Sequence, residues 1–326
     1  MTSPATPLAN SRIHCGLLIA LLIAVTIPVG WLVVAAANGR QPNGKPLPEQ
    51  AKKLADLAER LRPLDRPMGP VQPGDWLESY TELGQTFRQY VADRPAPVDP
   101  SRTTLYIVPL GEGSKEQTEI VSRTAEFLEV FFGKPVKTLE RVVLDAVPPE
   151  AQRLRSDGKT RQLLSTWLLN DVLLKRRPKD AIAVLGMATD DLWPGKGWNF
   201  VFGQASLSER VGVWSLARNG DPSESPEEYR LCLRRTLKTA MHETGHMLGI
   251  PHCIAADCGM NGTNNREEND RRPIEFCREC QPKIWWYCQT NPMERCRKLA
   301  KLAGQYGLDE EAKHFEAEAE ALANVE

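Results

Sequence analysis

The 326-residue chain predicts an α/β fold built on a mixed, mostly parallel sheet with an antiparallel edge strand. Three observations carry that reading. Strand-length runs rich in β-branched and aromatic residues alternate with amphipathic helical runs from Thr103 to Met187. Two more strand runs, 199–205 and 211–216, then follow in close succession, which suits an antiparallel pair at an edge. Last comes a long helix whose start is plainly signalled. The balanced charge, a net of −1, speaks against a nucleic-acid surface, and the length suffices for one sizeable core with appendages.

Residues 1–15 form a polar tail with Arg12 as its one fixed side-chain charge. Residues 16–37 (GLLIALLIAVTIPVGWLVVAAA) carry no charge and are long enough as a helix to cross a hydrocarbon layer of roughly 30 Å. This predicts a single-pass membrane anchor, kinked at Pro28. The alternative is an export signal cleaved after the A-x-A site Ala35-Ala36-Ala37, although the apolar run exceeds the usual signal core. Arg40, Lys45, Lys52 and Lys53 outnumber the upstream charges and argue for a cytoplasmic downstream domain. The alanine-rich exit argues for export, so the side of the membrane stays open. Residues 38–101 are proline-rich and read as a stalk, with one short helix over 49–61 whose stripe is Leu54, Leu57 and Leu61.

The main domain, 102–290, opens on the strand run TTLYIVPL at Thr103. A helix over 115–132, a strand over 136–144, a helix over 160–174 and an apolar strand over 181–187 follow. The long helix starts at Ser225 as N-cap, with Pro226 in the first helical position and Glu228 three after the cap. Leu233, Leu237 and Met241, with Ala240, Thr244 and Leu248, can face the sheet and leave His242 and His246 to face a cleft. Those two histidines stand one turn apart on one helix face and can direct imidazole nitrogen at one ion. Gly249 can end the helix in the left-handed conformation, Pro251 prevents its resumption, and the returning chain delivers His252. Three neutral imidazoles leave a fourth zinc position open, as in catalytic sites, and Glu243 is placed to take a proton from water there. The pattern is H-E-x-x-H-x-x-G-x-x-H with Met260 a short way on, the metzincin signature.

Three of the five histidines fall in this segment; His14 and His314 read as ordinary surface residues. Cys253, Cys258, Cys277 and Cys280 form two close pairs that suit a closed, structural four-thiolate zinc site, with two disulfides as the alternative. Cys232 reads as a buried free thiol, Trp285 to Tyr287 as a packing patch, and Cys288 and Cys296 as free thiols or one disulfide. Residues 291–326 read as a helical extension packed on the domain, a hairpin interrupted at Gly304 and Gly307.

With both ligand sets in view, the chain resembles the archaemetzincins, zinc peptidases that fuse the metzincin helix to a four-cysteine site. The likeness continues upstream through YIVPLG (106–111), DLWPGKGWNFVFGQA (191–205) and GVWSLAR (212–218), and covers a little over half the chain. It implies a metzincin-like α+β fold with a zinc-stapled C-terminal subdomain and two zinc ions. His242, His246 and His252 would hold the catalytic ion, with Glu243 as general base. Cys253, Cys258, Cys277 and Cys280 would hold the structural one, and Met260 would form the turn beneath the first. The expected activity is hydrolysis of a peptide or protein substrate, which would add as an antiparallel strand to an exposed edge at 199–205. The reading from another class is a membrane-tethered, zinc-stabilised peptide-binding or adaptor module without turnover.

Overall fold

The computed structural model describes residues 46–94 and 98–323. The apolar segment 16–37 and His14 lie outside the described residues, among which no helix is long and apolar enough to cross a membrane. In chain order the helices are α1 (Glu49–Glu59), α2 (Trp76–Ser79), α3 (Phe87–Asp93), α4 (Lys115–Phe132), α5 (Ser165–Trp167), α6 (Pro226–Met247), α7 (Arg266–Arg271), α8 (Gln281–Cys288), α9 (Pro292–Gln305) and α10 (Asp309–Ala323). The strands are β1 (Thr104–Leu110), β2 (Val136–Thr138), β3 (Gln152–Leu154), β4 (Arg161–Leu164), β5 (Ala181–Ala188), β6 (Asp191–Trp193), β7 (Gly203–Ser206) and β8 (Val211–Ser215).

The main sheet has the order β2-β1-β5-β8-β7. Its first four strands are parallel, and β7 runs antiparallel to β8 at the edge. Strands β1, β5 and β8 are buried along their whole length, as parallel strands covered on both faces must be. On one face α4 and α6 pack through Ile120, Phe127, Leu128, Leu233, Leu237 and Met241, all fully buried. Each such side chain contributes about 1.5–3 kcal/mol relative to exposure. Helix α4 carries a capping box, in which Ser114 accepts from Gln117 N and Gln117 Oε1 accepts from Ser114 N, and it ends on Gly133 in the left-handed conformation.

Three predicted elements are shifted. The expected helix over 160–174 starts late, because Arg161–Leu164 forms β4, the centre of a second sheet of order β3-β4-β6. There Arg161 makes a two-point ion pair with Asp190, and Gln162 donates to buried Asp191, contacts a helical reading does not anticipate. Beyond α5 the helix continues as a π turn over Leu168–Leu173 and a 3₁₀ turn over Leu174–Arg176. The strand expected over 136–144 stops at Thr138, with a lone bridge between Val142 and Leu110. The strand expected over 199–205 begins only at Gly203, since Arg153 and Gln162 side chains take the carbonyls of Trp198 and Asn199.

The proline-rich region is no free spacer. Ala51, Leu61, Trp76, Phe87, Tyr90 and Val91 are buried against the domain, and Lys283 Nζ donates to Gln85 O. The C-terminal hairpin α9–α10 turns at Gly307 and is equally bound in. Arg295 Nε donates to Phe131 O at 2.7 Å, and Tyr306 OH donates to Glu126 at 2.6 Å.

Candidate metal centre

Helix α6 is capped where the sequence predicts: Ser225 Oγ accepts from Glu228 N at 3.1 Å. Leu233, Leu237, Ala240, Met241, Thr244 and Leu248 are all buried, so the helix is held rigidly by its packed face. At its other end Gly249 takes φ 84°. Gly249 N donates to His246 O at 2.7 Å and Ile250 N to Gly245 O at 3.0 Å, a Schellman closure.

That turn also orients the ligands. His246 Nδ1 lies 2.8 Å from Ile250 O, His242 Nδ1 lies 2.9 Å from Gly259 O, and His252 Nδ1 lies 2.7 Å from Glu82 Oε1. Carbonyl and carboxylate oxygens only accept, so each Nδ1 carries a proton, and on a neutral ring Nε2 is then the bare lone pair. The Nε2 atoms of His242 and His246 then face each other at 2.9 Å, and the three rings contribute nitrogens within 4.8 Å of one another. Protonation cannot relieve this crowding. Burial above all pushes His242 down to about 3 and His246 well below its usual value. A cation at the convergence point would satisfy all three lone pairs, and three neutral imidazoles are a donor set that zinc accepts.

Glu243 follows His242 on the same helix. Burial alone, with no compensating partner, raises its carboxyl to about 7. Met260 is fully buried beneath the histidine turn, and a Cβ on Gly245 would stand 2.6 Å from the Met260 sulfur. Gly245 must therefore be glycine for Met260 to lie there.

The four cysteines gather immediately beside this centre. Cys253, Cys258, Cys277 and Cys280 are all buried and unpaired by disulfide, with sulfurs within 4.8 Å of one another; Cys253 Sγ and Cys277 Sγ are 3.6 Å apart. Backbone N–H groups of Ala255, Met260 and Cys277 point at Cys253 and Cys258 sulfur, an arrangement that favours thiolate. Hydrogen bonds from the neighbouring thiols pull Cys253 down, whereas burial holds Cys258 far up. Four buried sulfurs cannot all ionise without a cation among them. The donor set fits a closed tetrahedral zinc site.

A model of Peptidase family M54 matches residues 170–285, which include all of these ligands. Human archaemetzincin-2 is 32% identical over 282 residues, covering 75% of this chain and 77% of that protein. The chain belongs to the archaemetzincin family. Archaemetzincin from Pyrococcus furiosus is 30% identical over 184 residues, covering 56% of this chain and 93% of that one. A crystal structure of archaemetzincin from Methanopyrus kandleri matches with TM-score 0.46 and 32% identity, covering 57% of this chain and 94% of that one. As an archaemetzincin the chain is a zinc metallopeptidase with a mixed, mostly parallel sheet, an antiparallel edge and a candidate metal-binding cluster.

Several residues of this archaemetzincin's centre escape sequence reasoning. Asn261, buried, accepts from Cys258 N and donates to Cys253 O and Ala256 O, closing the loop that carries two cysteines. Tyr90 OH donates to Leu248 O at the helix end, and Glu82 meets His252. Asn261 stands among turn-forming residues, a weak signal; Tyr90 and Glu82 carry none. His314 is no ordinary surface residue. It is half-buried between Glu275 and Glu318, 3.2 Å from the latter. Cys232, Cys288 and Cys296 are buried free thiols, and burial raises Cys232 to about 11 and Cys288 to about 12.

Proposed function

We propose that His242, His246 and His252 hold the zinc at which peptide bonds are hydrolysed, that Glu243 is the general base, and that the four cysteines hold a second, structural zinc. The observation that carries this is the convergence of three Nε2 lone pairs whose Nδ1 atoms are all tied to acceptors. Bound zinc supplies Lewis acidity toward a carbonyl oxygen and makes water acidic. Glu243 takes the proton from the attacking water and passes it to the leaving amine. A carboxyl whose proton affinity burial raises above the ordinary carboxylate value suits the role of proton carrier. The helix holds Glu243 and two histidines in register, so proton transfer needs no rearrangement of the backbone.

In the zinc-loaded full chain, Glu243→Gln should keep both metal ions and lower cleavage of an unbiased peptide library by about 10²–10⁴-fold. His246→Ala should lose the cleavage and one metal. Near-normal turnover by Glu243→Gln contradicts the mechanism. A zinc-loaded wild-type chain that binds peptides and cleaves none favours the binding or adaptor reading.

The substrate, a peptide or protein, adds as an antiparallel strand along β7. The position of β7 at the end of the sheet order supports this. Ser215 N donates to Phe202 O, and in the observed register Gln204 opposes Val213, so the N–H groups of Gly203 and Ala205 point away from β8. Phe202 precedes the strand, so Ala205→Pro is the sharper probe. It removes an outward donor and no ladder bond, and should raise KM with zinc content unchanged. Residues 16–37 would anchor the enzyme in a membrane, or direct its export after cleavage. Intact mass and resistance to carbonate extraction of the expressed full chain distinguish the two.

A further inference from the structure

Two of the three converging imidazoles are oriented by backbone carbonyls close to them in sequence, Gly259 O and Ile250 O. His252 is oriented from far away. Its Nδ1 partner, Glu82, lies 170 positions upstream, in the region that reads as a stalk and well before the residues matched by the family model.

Glu82 is itself fixed. The indole Nε1 of Trp76 donates to the same Oε1 at 2.7 Å, so that oxygen receives two N–H groups. Trp76 is buried and stands edge-on to His252, ring centroids 5.0 Å apart. Its backbone N donates to Glu268, a buried carboxylate that also accepts from Asn264 N. Gly262, two residues past Met260, lies so close under the indole that a Cβ there would meet Trp76 Cδ1 at 2.5 Å. The segment is thus fastened to the loop beyond the methionine turn as well as to the third histidine.

We propose that Glu82 is a positioning residue for His252, which makes the N-terminal segment around Trp76 and Glu82 a working part of the metal centre. The proposal rests on the reading of His252 as a metal ligand. A carboxylate that accepts from Nδ1–H fixes the ring's tautomer and direction and increases electron density at Nε2, so the ring donates more strongly to a cation. His252 follows a turn rather than sitting on the rigid helix. Without Glu82 its ring would be free to rotate, whereas His242 and His246 would keep their carbonyl partners. Glu82 is not a member of the ligand cluster itself.

The test uses the full chain and its Glu82→Ala, Glu82→Gln and His252→Ala variants. It measures zinc affinity by chelator competition, the visible absorption of the cobalt-substituted protein, and circular dichroism. Glu82→Ala should weaken the three-histidine site by about 10–100-fold and alter its cobalt spectrum. Glu82→Gln keeps one oxygen able to accept both N–H groups but exchanges the charge and the second oxygen for an amide NH2, so its affinity should fall between wild type and Glu82→Ala. Wild-type affinity and cobalt spectrum in Glu82→Ala, with affinity lost in His252→Ala, overturn the positioning role. Should Glu82→Ala not fold, wild-type affinity in Glu82→Gln overturns it equally. Unchanged affinity in His252→Ala would instead defeat the ligand assignment beneath the proposal.

Discussion

His252 and Cys253 are neighbours in sequence, yet they belong to two ligand clusters of opposite physical character. The histidine rings are part-exposed, two of them ride on one helix, and each is oriented by an outer oxygen. The cysteine sulfurs are buried and come from two loops, and those of Cys253 and Cys258 receive backbone N–H groups. The first cluster has a scaffold that stands without it, because α6 is packed by its apolar face. The second gathers loops with little regular structure of their own. Removing a cation should therefore disarm the first and unfold the second.

The largest effect is expected at the cysteines. Cys277→Ser should abolish soluble folded protein, since structural zinc supplies apparent binding energies of about 10–16 kcal/mol, as large as a whole domain's stability. Yield and circular dichroism check this, and a well-folded Cys277→Ser protein would erase the contrast. Next comes Leu237→Ala under the histidine helix, which empties a fully buried site and should cost about 2–5 kcal/mol by denaturant titration. A smaller loss is expected for Gly249→Ala. The residue sits at φ 84° with the Arg94 guanidinium in the place of a Cβ, and the strain should cost about 1–2 kcal/mol. Because that turn sets His246 and His252, metal affinity should fall along with melting temperature.

The smallest effect concerns pH, at His314, whose partner Glu275 stands two residues before Cys277. Burial works to lower His314, but the hydrogen bond to Glu318 and the charges of Glu275 and Glu318 outweigh it and raise it above 6.5. A histidine raised on folding stabilises fully below its unfolded value and loses that contribution as pH rises through the folded one. His314→Gln should therefore lose stability at pH 6 and converge on wild type above the raised value, as denaturant midpoints across that range would show. A constant difference at all pH values would mean packing, not charge.

Much of this was legible because it is local. The helix 115–132 is found at the expected residues, and the histidine motif, its glycine stop and the cysteine pairs are fixed by short spacings. What was not legible depends on distant partners. Arg161 and Gln162 look helical until Asp190 and Asp191 claim them for a sheet. Glu82 lies in a proline-rich run whose composition suggests a spacer, and only the fold brings it to His252. His314 reads as an ordinary surface residue in sequence, and only the fold closes two carboxylates around it.

The comparison between the clusters is tested most directly by withdrawing zinc stepwise from the full chain with a chelator of graded strength, while reading zinc content, cleavage and circular dichroism together. Two zinc ions per chain should leave in separate steps. The first should leave with loss of cleavage and an intact spectrum, the second with unfolding. One zinc per chain, or a single step in which cleavage and fold vanish together, would contradict that comparison.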